Sequence, residues 1–106
     1  MKYILLLTAL LTSTTIAAAT FDETMAEAKQ GEAYAQYNLG VMYDNGEGVP
    51  ENSIRAYVWW SMAKIQGHTG AAGNLDILKP RMTKQQIAQA QALAAKCYES
   101  DYKDCD

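Results

Sequence analysis

LGVMYDNGEGVP, from Leu39 to Pro50, is the stretch on which the reading of the whole chain turns. Two glycines, Gly46 and Gly48, stand two apart among acidic residues, directly after an apolar run. Three readings compete: a phosphate cradle, a calcium loop, or a bend between two helices. A phosphate loop needs a strand before it and a Lys-Ser/Thr pair after its glycines, and neither is present. A calcium loop needs oxygen ligands at alternating positions and a bidentate acid at the twelfth. Asp44 suits the first position, but Glu51 comes too early and no acid fills the remaining ones. The bend is left. Leu39 and Tyr43 lie one helical turn apart on a core-facing side. Gly40 admits a close neighbour because it has no Cβ. Gly46 and Gly48 supply the positive φ angles of a chain reversal, and Pro50 pre-sets entry to the next helix.

Working outward from the bend, helix signals fill the chain. No four-residue run alternates apolar and polar residues with β-branched enrichment, and good helix formers occupy most segments. The pattern predicts helices at Glu23–Lys29, Glu32–Asp44, Glu51–Gln66, Thr69–Leu78 and Lys84–Ser100. Pro80 ends the fourth, because the residue before a proline avoids the helical region. Thr83 and Gln86 form a capping box that opens the fifth. Ile87, Ala90, Ala94 and Cys97 then share one face of it. The fold class is all-α.

The chain also repeats itself. Setting QGEAYAQYNLG (Gln30–Gly40) over QGHTGAAGNLD (Gln66–Asp76) at a shift of 36 pairs Gln30 with Gln66, Gly31 with Gly67, Ala35 with Ala71, Asn38 with Asn74, and Leu39 with Leu75. A helix pair per period near that length is what an α/α solenoid requires, since each pair buries its apolar face only against a neighbour. The residues Ala33, Ala35, Leu39, Gly40, Tyr43, Gly46, Gly48, Val49, Ala56, Trp59, Ala63 and Gly67 resemble the Sel1-like repeat, a relative of the tetratricopeptide repeat. The resemblance covers one full repeat, about residues 31–66, and the first helix of a second. Lys79, Met82 and Lys84 then stand where a tyrosine and two glycines would recur. The segment 67–106 instead resembles the terminal part of short bacterial Sel1-repeat proteins and is expected to cap the stack. The architecture implied is a short α/α helical-repeat solenoid, one full repeat plus a degenerate C-terminal cap.

The N-terminus carries an address. Lys2, the apolar run Tyr3–Leu11 and the small residues ending in Ala17-Ala18-Ala19 make a secretory signal peptide over residues 1–19, with cleavage before Thr20. The apolar run is roughly half of the ~20 residues a membrane span needs. The expectation is an exported protein, periplasmic or secreted, with no membrane insertion after cleavage. The domain expected at residues 20–106 has 8 basic and 12 acidic side chains, a net charge of −4. A mildly acidic surface without a Lys/Arg cluster argues against nucleic acid and anionic lipid as partners.

Chemistry is thinly represented. Ser61-Met62-Ala63-Lys64 spells S-x-x-K and His68-Thr69-Gly70 is close to K-T-G, two signatures of serine β-lactamases and penicillin-binding proteins. In those enzymes the two lie on separate elements of a larger α/β domain, whereas here four residues separate them in an all-α chain. His68, the single histidine, has no histidine partner for zinc, so neither metal nor cofactor is expected. In one straight helix Cys97 and Cys105 would stand about 12 Å apart, too far to bond, so a disulfide between them requires a turn near Ser100–Asp101. Their spacing resembles the cysteine-rich branch of the Sel1-like family, which implies a disulfide, here a C-terminal staple.

One face of the second helix is the candidate binding surface. Tyr34, Tyr37, Val41 and Asp44 share it, and in helical repeats the first helix of each pair lines the concave side. Tyrosine suits a protein partner there; packing of the same rings against the N-terminal helix is the alternative. Trp59 and Trp60 are expected in the core. The function expected is a non-catalytic protein–protein interaction module, an adaptor or scaffold of the bacterial cell envelope, with no catalytic residues. The alternatives are β-lactam binding or hydrolysis at Ser61/Lys64, a small inhibitor or regulator of one envelope enzyme, and an accessory subunit. An end-to-end homodimer burying the open face of the first helix stays open beside them.

Overall fold

The computed structural model describes residues 19–106. The leader expected over residues 1–19 therefore lies, Ala19 apart, outside the described residues. Five α-helices follow in order: α1 (Phe21–Lys29), α2 (Ala33–Asn45), α3 (Ser53–Ile65), α4 (Thr69–Leu78) and α5 (Lys84–Glu99). A 3-10 turn, Lys79–Arg81, joins α4 to α5. There is no strand among the described residues. Pro80 ends α4 as the sequence predicts, but it does so inside this extra turn, because a proline is tolerated where no intrahelical N–H is needed.

Each helix starts at a side chain that accepts an otherwise orphaned N–H, with α2 the exception. Thr20 caps α1, Asn52 caps α3, and Thr83 with Gln86 completes the capping box of α5. His68 caps α4, its Nδ1 accepting from the Ala71 N–H at 3.1 Å. The opening stretch is a bend. Gly46, at φ +70°, ends α2, Gly48 repeats that angle, and the Asn52 N–H returns to the Tyr43 carbonyl at 2.9 Å.

The core forms around α3. Seven of its residues, from Ala56 to Ala63, are buried on every side of the helix, as befits a helix enclosed by its neighbours. It packs against α2, α4 and α5, while α1 packs on α2. Gly40 lets α2 and α3 meet: a Cβ there would fall 2.3 Å from Trp60 Cδ1. Trp59 and Trp60 are both buried. On α5 the predicted face is turned inward, with Ala90, Ala94 and Cys97 buried and Ile87 packed at the edge.

The 36-residue shift reappears in the backbone. Gln30 and Gln66 close α1 and α3 with almost identical angles, and Gly31 and Gly67 both take φ +91°. Thus α1 enters α2 as α3 enters α4, and stands where the second helix of a preceding repeat would. Gln66 ties the two turns together, its Nε2 donating to the Gly31 carbonyl and to Gln36 Oε1. Buried Gln36 passes the link on to the Ala28 carbonyl.

The end of the chain doubles back. Cys97 and Cys105 are joined by a disulfide, their Cα atoms 4.3 Å apart. The reversal runs through Asp101 and Tyr102, both at positive φ, and the Tyr102 N–H bonds the Cys97 carbonyl. The tail then lies against the N-terminal half of the molecule. The Tyr102 ring covers Gly31, and Asp106 reaches Arg55 at 3.7 Å.

Candidate functional site

Opposite the tail, α2 and α4 lie side by side with α3 behind them, and a cleft of about 260 Å³ opens between the two. Tyr37, Val41 and Asp44 form its α2 wall, while Asn74, Ile77, Leu78 and Arg81 form the other. The edge of Trp60 makes part of the floor. Three of the four residues read from the sequence as one binding face therefore line one cleft. The fourth, Tyr34, stands on the rim at 69% exposure, its ring 6.4 Å from that of Tyr37.

Contacts to other helices hold the cleft's side chains. Tyr37 stacks on His68 at 4.5 Å between ring centres, so the α4 cap is also a wall of the aromatic end. Trp60 Nε1 donates to the Tyr37 carbonyl at 3.0 Å, fixing the indole under α2. At the other end Arg81 Nη2 donates to Asp44 Oδ1 at 2.6 Å and spans the cleft as an ion pair. A shallower hollow of about 170 Å³ continues on the α1 side of Val41, bounded by Thr24, Asn38, Met42 and Glu47. The rings of Tyr34 and Tyr37 thus keep to this side, and it is Tyr43 that packs against α1, edge-to-face on Phe21 at 5.4 Å.

Sequence reasoning did not reach the α4 wall, Asn74, Ile77 and Leu78, nor the parts played by Trp60, His68 and Arg81. Trp60 sits in the core, as expected, and one edge of its ring also lines the cleft. His68 was placed at a helix start, without its stack on Tyr37. Arg81 was not singled out; it stands 37 positions after Asp44, about one repeat, and that spacing was a usable signal.

Ser61 and Lys64 are not brought together as a catalytic pair. On α3 the Ser61 hydroxyl donates to the Tyr57 carbonyl at 2.7 Å, and Lys64 is exposed. Among the described residues no hydrogen bond joins the two, and no group of three His, Cys, Asp or Glu side chains comes together. His68 Nδ1 is engaged by the α4 backbone. What remains is a concave surface of mixed polarity, with two tyrosines at one end and an ion pair at the other.

Paired helices stacked by a common turn, with first helices side by side on a concave face, define an α/α helical-repeat protein. Residues 33–68 match the family model of the Sel1 repeat. The chain therefore carries one Sel1 repeat, over residues 33–68. No curated protein and no solved structure matches it. Sel1 repeats generally mediate protein–protein interaction.

Proposed function

We propose that the protein is an exported, non-catalytic interaction module of the bacterial cell envelope, which docks another protein on its concave face. The observation that carries this reading is the cleft itself. Tyr37, Val41 and Asp44 open onto it together with Trp60, and Tyr34 stands free beside them. Aromatic anchors around a small pocket are what binding hot spots are made of. The leader over residues 1–19 supports export, as does a disulfide with both sulfurs buried, which an oxidising compartment allows to form and persist. No helix among the described residues is long and apolar enough to cross a membrane. In this reading residues 20–106 work as one unit, the repeat over about 31–66 supplying one wall and the segment 67–106 the other.

The test is photo-crosslinking in the exported fraction. A photoreactive residue replaces Tyr34, which is exposed enough to be exchanged without disturbing the core, and a control is placed at exposed Gln91 on α5. Discrete protein adducts at Tyr34 and none at Gln91 are expected. Folded protein that yields no adduct at Tyr34 would remove the concave face as a docking surface.

A further inference from the structure

The cleft's surroundings carry a charge bias that selects among protein partners. Between Thr20 and Glu51 the chain has seven acidic side chains and a single lysine, whereas from Asn52 to Asp106 it has five acids and seven bases. Part of that acidity borders the hollow beside the cleft. Glu47 bounds the hollow beside Val41. Thr24 bounds it from α1, and helical spacing puts Glu27 and Glu23, one turn apart, on the same flank of α1 as Thr24. Asp22 and Lys29 fall on the opposite flank by the same spacing. All three glutamates are exposed, and none is in an ion pair among the described residues. The cation on the cleft's own rim, Arg81, is already neutralised by Asp44.

Resting on the docking role above, we infer that the occupant of this face is a basic protein segment, an extended stretch in which lysine or arginine alternates with apolar residues. An apolar side chain enters the cleft against Tyr37, Val41 and Ile77, the apolar lining residues with surface to offer. The basic groups on either side meet two features that suit them: the Glu23, Glu27 and Glu47 carboxylates, and the ring of Tyr34, whose face attracts a cation. Carboxylates on the α1 side of the cleft steer such a segment and set its direction. A segment rich in acids would meet only repulsion on that side.

The experiment uses the exported chain with its disulfide intact and two fluorescein-labelled peptides of nine residues, one alternating lysine with leucine, the other glutamate with leucine. Anisotropy reads affinity, and amide and indole shifts of Tyr37 and Trp60 read the place. The lysine peptide is expected to bind with shifts at both residues, and the glutamate peptide not to bind. Neutralising the face with E23Q/E27Q/E47Q is expected to weaken the lysine peptide roughly tenfold. Removing as many acids elsewhere, with D22N/D76N/E99Q, is expected to cost less than about twofold. Tyr34→Ala and Ile77→Ala, both at exposed positions, are expected to weaken it about fivefold together. Equal binding of the two peptides, equal loss from the two triple variants, or no binding of the lysine peptide overturns the inference. The crosslinking above separates the two levels: an adduct at Tyr34 to a segment without basic residues overturns the charge preference and leaves docking intact, while no adduct overturns both.

Discussion

At Gly40 a methyl group would lie 2.3 Å from Trp60 Cδ1 and 2.4 Å from Nε1. The indole cannot step aside cheaply, because its N–H is bonded to the Tyr37 carbonyl and its ring is buried. Alanine favours helix over glycine by up to about 1 kcal/mol, but overpacking a close helix contact costs about 1–3 kcal/mol. Gly40→Ala is therefore expected to lower the urea midpoint, with Trp60's indole shift displaced. Gly73→Ala is the counterpart: nothing lies within 4 Å of a Cβ there, and its backbone is helical. It should raise stability by roughly 0.5–1 kcal/mol. A Gly40→Ala variant as stable as Gly73→Ala would refute the tight crossing. Tyr43 gives a second test at this scale. Burial pushes its phenol above the usual tyrosine range; Arg55 beside it works against the rise, and Asp106 adds to it. A folded state that holds the proton more tightly than the unfolded one is stabilised below the unfolded value, about 10, and loses that stability as pH rises past it. Urea midpoints from pH 8 to 11 should fall more steeply for the native chain than for Tyr43→Phe. Parallel slopes would mean that the phenol ionises in place without opposition.

The elements owe their ends to single side chains, and α4 shows how far that reaches into the cleft. His68 both caps α4 and stacks on Tyr37. His68→Ala should cost about 1 kcal/mol, the usual worth of an N-cap, and should also shift the Tyr37 ring resonances. His68→Asn, which can still cap, should recover most of the stability and none of the ring shift. If alanine and asparagine are equally stable, the imidazole is not the cap. The helices themselves were legible in the sequence because their signals are local: the Gly46 and Gly48 bend, the Thr83–Gln86 box, the 3.6-residue face through Ala90, Ala94 and Cys97. So was the shared face of Tyr34, Tyr37, Val41 and Asp44, which follows from spacing along one helix. What closes that face into a cleft was not legible. Arg81, Ile77 and the edge of Trp60 come from other elements, and their approach depends on how α2 and α4 settle over α3. Periodicity says which side of a helix is apolar, not the angle at which its neighbour crosses. Pro80 makes the same point: its effect as a stop was readable, but not the 3-10 turn that swings Arg81 toward Asp44.

Across the whole molecule, α1 flanks the repeat on one side and α4 with α5 on the other, and the segment after Cys97 folds back over the repeat's entry. Beyond Cys97 the tail turns back so that Tyr102 covers the α1–α2 turn at Gly31 and Asp106 meets Arg55 at the start of α3. The disulfide closes this arm onto α5, so that α5 is tied to the α1–α2 turn. A loop of this length is worth on the order of 2–3 kcal/mol through unfolded-state entropy alone. That is a large share of the stability a domain of this size can hold. Cys97→Ala/Cys105→Ala is therefore expected to lower the unfolding free energy by at least about 2 kcal/mol and to move the Gly31 amide resonance, although Gly31 lies far from both cysteines in sequence. Both sulfurs are buried, Cys97 completely, so reductant should open the native bond only as fast as the protein opens, and added urea should speed the reduction. An unchanged urea midpoint with an unmoved Gly31 amide would mean that the tail is an ornament on α5. Reduction at the rate of an exposed disulfide would mean that the tail leaves the body without unfolding it.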